Sequence, residues 1–319
     1  MKRFLITPVR NEAHLLDAFI RHHTPLFDHI VIADQQSTDG SWEIASAHPN
    51  VIALCNDSQV YDERVRRILM LDEVQRRHPG ALVMGLDADE FLLADPSAWE
   101  ARCADWIRSH PEKTIRFHWN YLHPDGTDWF VFQQDFCRPV LDGEIKPGFI
   151  HLPRIPVTPE KLVCDEFPIL HLNLYWRRRM QMKVWWYQAI EAMGGGEPSI
   201  DSLRLYSRNA ACIMPHRHSI PEKFQKTVRG ILDSIRVEDT WDTWLKTDLL
   251  GMLARDRESR LSSIPIWSFP WQTELAAAGL PAHPGPSLRC RLMDWWIQKT
   301  NADSKSAPVR FIDAILRRI

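Results

Sequence analysis

The chain has 319 residues, of which 45% are hydrophobic and 25% charged, a composition typical of a folded protein and not of a disordered one. Its formal net charge of −2 gives no overall attraction to nucleic acid or to an anionic membrane. We therefore expect no nucleic-acid partner, and any membrane contact must be local. The sequence has no apolar run of about 18 residues that could cross a bilayer, and no apolar segment typical of a signal peptide near its start. A cytoplasmic location is expected.

The first third of the chain alternates short apolar runs with helical periodicity, which is the pattern of a parallel sheet built through crossover helices. The last run, 81–86, is apolar on both alternations and is predicted to be a central strand buried on both faces. It ends in a cluster of carboxylates. The predicted strands span 3–7, 29–33, 51–54 and 81–86.

Three helices are predicted between these strands. Asn11 is expected to cap the first helix, and Ser41 is placed to cap the second. The third helix is predicted to turn Val65, Leu69 and Val74 toward the sheet and its arginines mostly elsewhere.

The rest of the chain divides into two parts by composition. Residues 113–155 are rich in aromatic and β-branched residues and contain turn sequences, so they predict antiparallel strands that extend the sheet. A helix is predicted over 175–193, followed by further helices separated by proline-rich loops. We therefore expect an α/β domain over 1–196 and a mostly helical extension over 197–319.

The strongest chemical signal is the sequence Asp87-Ala88-Asp89-Glu90 at the end of the buried strand. Ligands of open α/β sheets bind at this edge. Carboxylates packed this closely repel one another unless a cation neutralises them, which favours a hard divalent ion bridging to phosphate oxygens. The alternative is a solvated acidic turn.

Three segments occur in a characteristic order: Pro8-Val9-Arg10-Asn11-Glu12, the strand and loop 32–41, and Leu86-Asp87-Ala88-Asp89-Glu90-Phe91-Leu92. Together they resemble the family 2 glycosyltransferases, over about residues 3–95, and in particular bacterial members with an Asp-x-Asp-Glu-Phe motif. The resemblance implies a GT-A fold, a nucleotide-diphosphate-sugar donor, a Mn²⁺ or Mg²⁺ ion and inversion at the anomeric carbon.

The same resemblance implies roles for individual residues. Because Gln35 and Gln36 follow Asp34, where a second acidic residue is usual, Asp39 is an alternative to Asp34. His171 is expected either to be an additional metal ligand or to be a structural histidine. The implied nucleotide-sugar residues are Pro8, Arg10, Asp34 or Asp39, and Asp87, and the implied metal ligands are Asp89 and His171.

Other candidate residues are less clearly marked. Arg64 and Arg67 lie one turn apart and could reach a diphosphate, or could be solvated. An inverting transfer needs a general base, for which Asp165 or Glu166 is favoured over Asp135 and Asp142. Both favoured residues could instead be surface carboxylates.

Aromatic residues suggest where an acceptor would bind. The chain has 14 tryptophans and 5 tyrosines, and aromatic faces suit sugar rings. Trp119, Tyr121 and Trp129 are the candidates for acceptor binding. Segments 176–179 and 309–319 combine basic and apolar residues, as peripheral membrane helices do, although a docked terminal helix would explain the second.

These observations predict a metal-dependent inverting glycosyltransferase that acts on a saccharide or lipid-linked saccharide, with a role in surface polysaccharide synthesis. Two alternatives remain open. A sugar nucleotidyltransferase would use similar carboxylates but usually has a glycine-rich phosphate loop, which is not present after Ile6. A non-catalytic glycan-binding module would not need the carboxylates.

Overall fold

The computed structural model describes residues 2–58, 62–142, 153–196, 199–210, 217–235, 239, 243–300 and 306–316. Among them, the strands are β1 (Arg3–Val9), β2 (His29–Asp34), β3 (Val51–Cys55), β4 (Leu82–Gly85), β5 (Glu90–Leu92), β6 (Thr114–Leu122), β7 (Asp128–Arg138), β8 (Lys161–His171) and β9 (Arg217–Ser219). The helices are α1 (Ala13–His23), α2 (Ser41–Ala47), α3 (Glu63–Arg77), α4 (Pro96–Ser109), α5 (Arg177–Met193), α6 (Ile200–Ala210), α7 (Glu222–Ser234), α8 (Thr243–Arg255), α9 (Trp271–Ala277), α10 (Leu288–Thr300) and α11 (Ala307–Leu316).

The strands form one mixed sheet in the order β3-β2-β1-β4-β7-β6-β8-β5, with β9 paired to β7. Strands β1 to β4 are parallel, while β7 is antiparallel to β4, β6 and β9. Strand β8 is parallel to β6, a pairing that the sequence did not predict. The predicted α/β class, with a parallel sheet, an antiparallel extension and C-terminal helices, is confirmed.

The core of the parallel region comes from strands covered on both faces. Every residue of β4 is buried, as its continuous apolar sequence predicted. Helix α3 covers one face, where Met70, Leu71 and Val74 contact residues of β1, β2 and β4. This rigid layer fixes the loops that follow the strands.

Helix α3 turns Leu69 and Val74 toward the sheet, as predicted, but not Val65. Val65 is 43% exposed, whereas Arg66 and Arg67 are buried. The buried residues Glu63, Arg66, Arg67, Met70, Leu71 and Val74 form one stripe at helical spacing. The helix begins just after β3, at the carboxyl edge of the parallel strands, so its first turn buries charged residues and only its later turns bury apolar ones.

The chain divides into two compact units, one of Met1–Asn173 with His216–Val237 and the other of Leu174–Pro215 with Glu238–Ile319. This division differs from the predicted boundary at residue 197. Helix α5 belongs to the second unit, while β9 pairs with β7 and thereby returns to the first. In the described part of the chain, no helix is both long and apolar enough to pass through a membrane.

Candidate functional site

The parallel strands bring three loops to one edge of the sheet. Strand β1 lies between β2 and β4, and all three run in the same direction. The loops after Val9, Asp34 and Gly85 therefore meet at this edge. Neighbouring strands are about 4.8 Å apart, so the ends of β2 and β4 are separated by about 10 Å, a distance that a nucleoside diphosphate can span.

Hydrogen bonds join the loop after β1 to the loop after β2. Asn11 has a left-handed backbone, with φ of 56°, and its Oδ1 accepts from the backbone N–H of Thr38 at 2.7 Å. The Ser37 Oγ accepts from Asn11 N–H at 2.8 Å, and the Ser41 Oγ accepts from Glu12 N–H at 2.9 Å. Asn11 and Ser41 therefore join the two loops and do not act as the helix caps that the sequence predicted.

Asp39 also has a structural role in this pair of loops. Its Oδ2 accepts from Ala13 N–H at 2.9 Å, at the start of α1, and its Oδ1 accepts from Ser41 N–H at 3.1 Å and from the Ser41 hydroxyl at 2.7 Å. Both carboxylate oxygens therefore help to hold the two loops together.

Asp34 has the properties expected of a ligand-binding carboxylate. It is only 4% exposed, and its Oδ2 accepts from Ser37 N–H at 3.0 Å. Among the described residues, Asp34 Oδ1 and the nearby Asn56 Nδ2 have no hydrogen-bond partner. Asn56 is 4% exposed, and its N–H donates to the Asp34 carbonyl at 2.8 Å. An acceptor on Asp34 and a donor on Asn56 thus have no partner among the described residues, on residues that are joined by a backbone hydrogen bond. Sequence reasoning did not identify Asn56.

Pro8 and Arg10 flank the same edge. Pro8 lies in β1 opposite Ala33, and Arg10 follows the end of the strand; both are half-buried. The structure thus places both residues beside the two joined loops, as the predicted nucleotide-pocket role requires.

The acidic loop after β4 is closed by its own hydrogen bonds. Glu90 N–H donates to the Asp87 carbonyl at 2.9 Å, and Asp87 N–H donates to Glu90 Oε2 at 2.8 Å. Glu90 is fully buried, whereas the Asp87 side chain is 37% exposed and that of Asp89 is 11% exposed. Burial raises the pKa of the Glu90 carboxyl to about 7, although the Arg154 guanidinium opposes this rise.

Arg154 neutralises two of these carboxylates. Its Nη2 donates to Asp87 Oδ2 and to Glu90 Oε1, each at 2.6 Å. Its guanidinium carbon lies 5.3 Å from the ring centre of Trp119 and 5.0 Å from that of Phe136, close enough for cation–π attraction. The clustered carboxylates were expected to need a nearby positive charge. Arg154 supplies part of that charge from the chain itself.

The position of Arg154 depends on a glycine. A Cβ atom at Gly85, the last residue of β4, would lie 2.7 Å from the Arg154 Cβ. Any side chain there would push Arg154 away from Asp87 and Glu90. Sequence reasoning missed Arg154, because it lies more than 60 residues from the acidic loop and no local pattern connects them.

Asp89 and His171, the two predicted metal ligands, lie close together. Strand β5 pairs with β8 so that Glu90 lies opposite His171, and His171 Nε2 is 3.4 Å from Asp89 Oδ1. His171 is 3% exposed and stacks on Trp119 at 4.9 Å. Its Nδ1 has no hydrogen-bond partner in the described part of the chain.

These residues fit a metal ion that is shared with a substrate. A carboxylate and an imidazole suit Mn²⁺, and Mg²⁺ is commonly held by one or two carboxylates together with substrate phosphates and water. Within the described ranges, no group of three or more His, Cys, Asp or Glu side chains is arranged to hold a metal. The chain would thus supply two ligands, and a phosphate-bearing substrate and water would supply the others.

The structure places two of the three predicted acceptor residues at this site. Trp119 and Tyr121 both contact the His171 ring, with centroids 4.9 and 4.5 Å away. The Trp119 indole N–H donates to Glu90 Oε1 at 2.8 Å, so it does not offer that donor to a sugar. Trp129 is 5% exposed and lies near Phe224 of α7, so the structure does not bring it to the acidic loop.

The favoured general bases are also not brought to the loop. Asp165 lies on β8 with its side chain 80% exposed, 2.7 Å from His118 Nε2, and Glu166 accepts from Arg102 at 2.8 Å. They precede His171 by six and five residues, which corresponds to about 17–20 Å along a strand. The geometry does not support either residue as the base, because both pair with side chains elsewhere.

Arg64 and Arg67 lie near the start of α3, at the carboxyl edge of the sheet. Arg67 is buried and donates to Glu63 Oε2 at 3.3 Å, while Arg64 N–H donates to the Asp62 side chain at 2.8 Å. The solvated alternative does not hold for Arg67, whose side chain is only 6% exposed.

Comparisons with known proteins find distant similarity only. No protein-family model matches the chain, and no curated protein matches it significantly. Among solved structures, mannosyl-3-phosphoglycerate synthase from Rubrobacter xylanophilus aligns with 19% identity and a TM-score of 0.30, over 39% of this chain and 41% of that one. This chain thus spans about two fifths of the synthase.

Two other solved structures show the same level of similarity. Mannose-1-phosphate geranyltransferase from Thermus thermophilus aligns with 12% identity and a TM-score of 0.29, over 67% of this chain and 68% of that one. A nucleotidyl transferase from Methanothermobacter thermautotroptrophicus aligns with 11% identity and a TM-score of 0.29, over 45% of this chain and 78% of that one. At these TM-scores no function is carried over to this chain, and the function is inferred from the site itself.

Proposed function

We propose that this chain is a metal-dependent glycosyltransferase that transfers a sugar, with inversion, from a nucleotide diphosphate to a saccharide or lipid-linked saccharide acceptor. One observation carries the proposal. The adjacent Asp89 and His171 lie at the same sheet edge as Asp34, whose buried Oδ1 has no partner among the described residues. The base or ribose of a nucleotide-diphosphate sugar would bind at Asp34. Its phosphates would bind a cation held by Asp89 and His171.

The nucleoside would bind at the joined loops after β1 and β2. Asp34 would accept an N–H or O–H of the nucleoside, and Asn56 Nδ2 would donate to a neighbouring acceptor. Pro8 and Arg10 would line this pocket. A buried acceptor without a partner costs about 1–3 kcal/mol, so a ligand that supplies the missing hydrogen bond gains affinity.

The diphosphate would bind at the acidic loop. Asp89 and His171 would hold Mn²⁺ or Mg²⁺, which neutralises the charge that develops on the leaving phosphate. Arg154 holds the Asp87 carboxylate at 2.6 Å, and the Asp87 side chain, which is 37% exposed, would accept from a ribose hydroxyl. Arg64 and Arg67 lie near the start of α3 at the same edge.

The acceptor would bind on the side of the loop formed by Trp119 and Tyr121. Both rings pack against His171 and are half-buried, and aromatic rings of this kind suit the apolar faces of sugars. Asp165 and Glu166 are not assigned a role in this proposal, because they pair with His118 and Arg102.

Calorimetry of nucleotide binding tests this proposal. We expect a nucleoside diphosphate to bind in the presence of Mn²⁺, and to bind at least about tenfold more weakly, a loss of about 1.4 kcal/mol, with Asp89→Asn or with His171→Ala. The matched control is Asp165→Asn, which should bind like the unchanged protein. Preference for a triphosphate would instead indicate a nucleotidyltransferase. Glycan binding without any nucleotide binding would indicate a non-catalytic module.

We also propose that the second unit contacts an anionic membrane surface through α10 and α11. Leu288, Leu292 and Trp295 follow one another at helical spacing on α10 and are 66%, 59% and 58% exposed. On α11, Phe311 and Ile315 are 68% and 44% exposed. Exposed apolar residues on a helix surface are typical of interfacial helices.

The charges on these two helices favour an anionic partner. Their exposed charged residues, within the described ranges 288–300 and 307–316, are Arg291, Lys299 and Arg310. Asp313 is buried and pairs with Arg204 at 2.7 Å, and Asp294 is half-buried. A symmetric dimer through this face would bring like charges together, whereas an anionic bilayer attracts them.

The other predicted membrane segment differs. Trp176 is only 5% exposed, although Arg177 and Arg178 are exposed. This stretch has cations without an exposed apolar ring, so it does not have the composition of an interfacial helix.

A further inference from the structure

Two adjoining cavities lie within the second unit. The first, with a volume of about 310 Å³, is lined by α5, α6, α10 and the chain near Pro265. The second, also of about 310 Å³, is lined by α5, α6 and Ile264. Gln188, Leu203 and Tyr206 line both. Each volume is at the lower end of the range of about 300–1,000 Å³ typical of ligand sites, and together they form a space for an elongated ligand.

Gln188 lies where the two cavities meet and is not satisfied by the protein. It is 4% exposed, and its Oε1 has no hydrogen-bond partner among the described residues. An unsatisfied buried carbonyl costs about 1–3 kcal/mol. A single water, which takes up about 30 Å³ in the liquid, would fill only a small part of either cavity. A ligand larger than water can therefore occupy the space that Gln188 borders.

The lining of the first cavity determines what kind of ligand fits. Gln181, Gln188 and Gln298 each offer a carboxamide that can both donate and accept, as a sugar hydroxyl does. Asp294 accepts from Gln298 Nε2 at 3.0 Å, and burial raises the pKa of its carboxyl. Arg177 and Asp294, of opposite formal charge, both line the cavity, so its lining carries little net charge and favours a neutral polyhydroxyl ligand.

Aromatic side chains complete the lining. Trp185 and Tyr206 border the cavity, and flat apolar rings suit the C–H faces of sugars. Tyr206 is fixed by the hydrogen bond that its hydroxyl donates to Glu191 Oε1 at 2.6 Å. A tyrosine ring held in place by its hydroxyl lowers the ordering cost of binding.

We propose that these two cavities form a saccharide-binding site in the second unit, with Gln188 donating to or accepting from the ligand at the junction and about one sugar ring in each cavity. The site is separate from the acidic loop of the first unit. It rests on its own lining residues and does not depend on the proposed glycosyl transfer.

Titration of the full chain with neutral disaccharides tests this site, in the absence of nucleotide and divalent metal. The probes are maltose, cellobiose, lactose and chitobiose, followed by calorimetry and by saturation-transfer NMR. We expect saturable binding of at least one probe with a Kd below about 10 mM. Gln188→Leu should weaken it at least tenfold while leaving the melting temperature unchanged or higher, because an unsatisfied carbonyl is removed.

Three further variants keep the test decisive. Gln298→Ala, on α10, should weaken binding several-fold. It takes the place of Gln188→Leu as the test variant if Gln188→Leu does not fold. Gln75→Ala, at an exposed position of α3 in the first unit, is the matched control and should bind like the unchanged protein. Asp89→Asn should also leave disaccharide binding unchanged, which separates this site from the proposed nucleotide site. Absence of binding by all four probes, or undiminished binding by folded Gln188→Leu and Gln298→Ala, would overturn the proposal.

Discussion

Arg154 and Glu90 form a buried ion pair, in which Nη2 of the arginine lies 2.6 Å from Oε1 of the glutamate. Glu90 is fully buried, and the Arg154 side chain is 8% exposed. Burial of Arg154 opposes its charge, but Asp87 and Glu90 outweigh this and raise the pKa of the guanidinium above its usual range. The acidic loop and the arginine therefore stabilise each other.

Replacing Arg154 should destabilise the fold strongly. Arg154→Met would leave Glu90 buried without its cation, so we expect a loss of about 3–5 kcal/mol in the free energy of unfolding, measured by urea denaturation. Adding Glu90→Gln should restore part of that loss. Arg102→Met removes a more exposed pair with Glu166 and should cost less than about 1 kcal/mol. An equal cost for both arginine variants would contradict the role given to Arg154.

A side chain at position 85 should disturb the same pair. Gly85→Ala would place a Cβ 2.7 Å from the Arg154 Cβ, and overpacking of this kind costs about 1–3 kcal/mol. Gly230→Ala, in α7, meets no atom within 4 Å and should be neutral or stabilising. The melting temperatures of Gly85→Ala and Gly230→Ala measure this difference in stability. If Gly85→Ala were as stable as Gly230→Ala, Arg154 would not be held at this position by close packing.

The buried His23 should make stability depend on pH. Its Nδ1 lies 2.8 Å from the Phe19 carbonyl, and its Nε2 accepts from Leu92 N–H at 3.2 Å, so the folded protein needs the neutral ring. Burial lowers the pKa of His23 well below its usual value of 6.5. Below pH 6.5 the unfolded chain binds a proton that the folded chain does not, so stability falls as pH falls, by up to about 1.4 kcal/mol per pH unit.

Urea unfolding between pH 5 and 8 measures this effect. His23→Asn keeps a donor for the Phe19 carbonyl and should flatten the dependence below pH 6.5, even if it lowers stability overall. The burial of neighbouring His22 also lowers the pKa of that ring, so some dependence will remain. His218→Asn, at an exposed position of β9, is the control and should leave the slope unchanged.

The parallel sheet and the acidic loop could be predicted from the sequence, because both leave local patterns. The continuous apolar run 81–86 marked a buried strand, and Asp87 and Asp89 follow it directly. The approach of His171 to Asp89 followed from the resemblance. Arg154 could not be predicted in the same way, since it reaches the loop only through tertiary structure.

The errors have similar causes. The exposure of Val65 was not predicted, because α3 buries Arg66 and Arg67 near its start and charged residues do not show in a hydrophobic pattern. The two units differ from the predicted boundary at residue 197, in part because β9 returns to pair with β7, a contact between residues about 90 positions apart in the sequence.

Removing the carboxylates of Asp165 and Glu166 should have little effect on catalysis. A general base contributes about 10²–10⁴-fold, so Asp165→Asn and Glu166→Gln would lose that much if either acted as the base. We expect kcat/KM for donor hydrolysis or transfer to stay within about twofold, because both side chains pair away from the acidic loop. Asp89→Asn should lose about 10²-fold or more in the same assay.

Membrane binding should depend on the exposed residues of α10 and α11. We expect the protein to sediment with vesicles of phosphatidylglycerol and phosphatidylcholine more than with phosphatidylcholine alone, since each nearby cation contributes about 1 kcal/mol. Trp295→Ser combined with Phe311→Ser should abolish this binding. Val163→Ser, which changes a 43% exposed valine in the first unit, is the control. Vesicle binding that survives the double substitution would exclude this surface.

Arg154 is part of the polypeptide, so the acidic loop has a permanent counter-charge that does not dissociate. The loop can therefore keep its conformation between rounds of substrate binding, whatever ions the surrounding solution contains. In the proposed site, a divalent ion that arrived with its substrate would meet Asp89 and His171 already side by side. Less reorganisation would then be needed on binding, and preorganisation of this kind strengthens affinity.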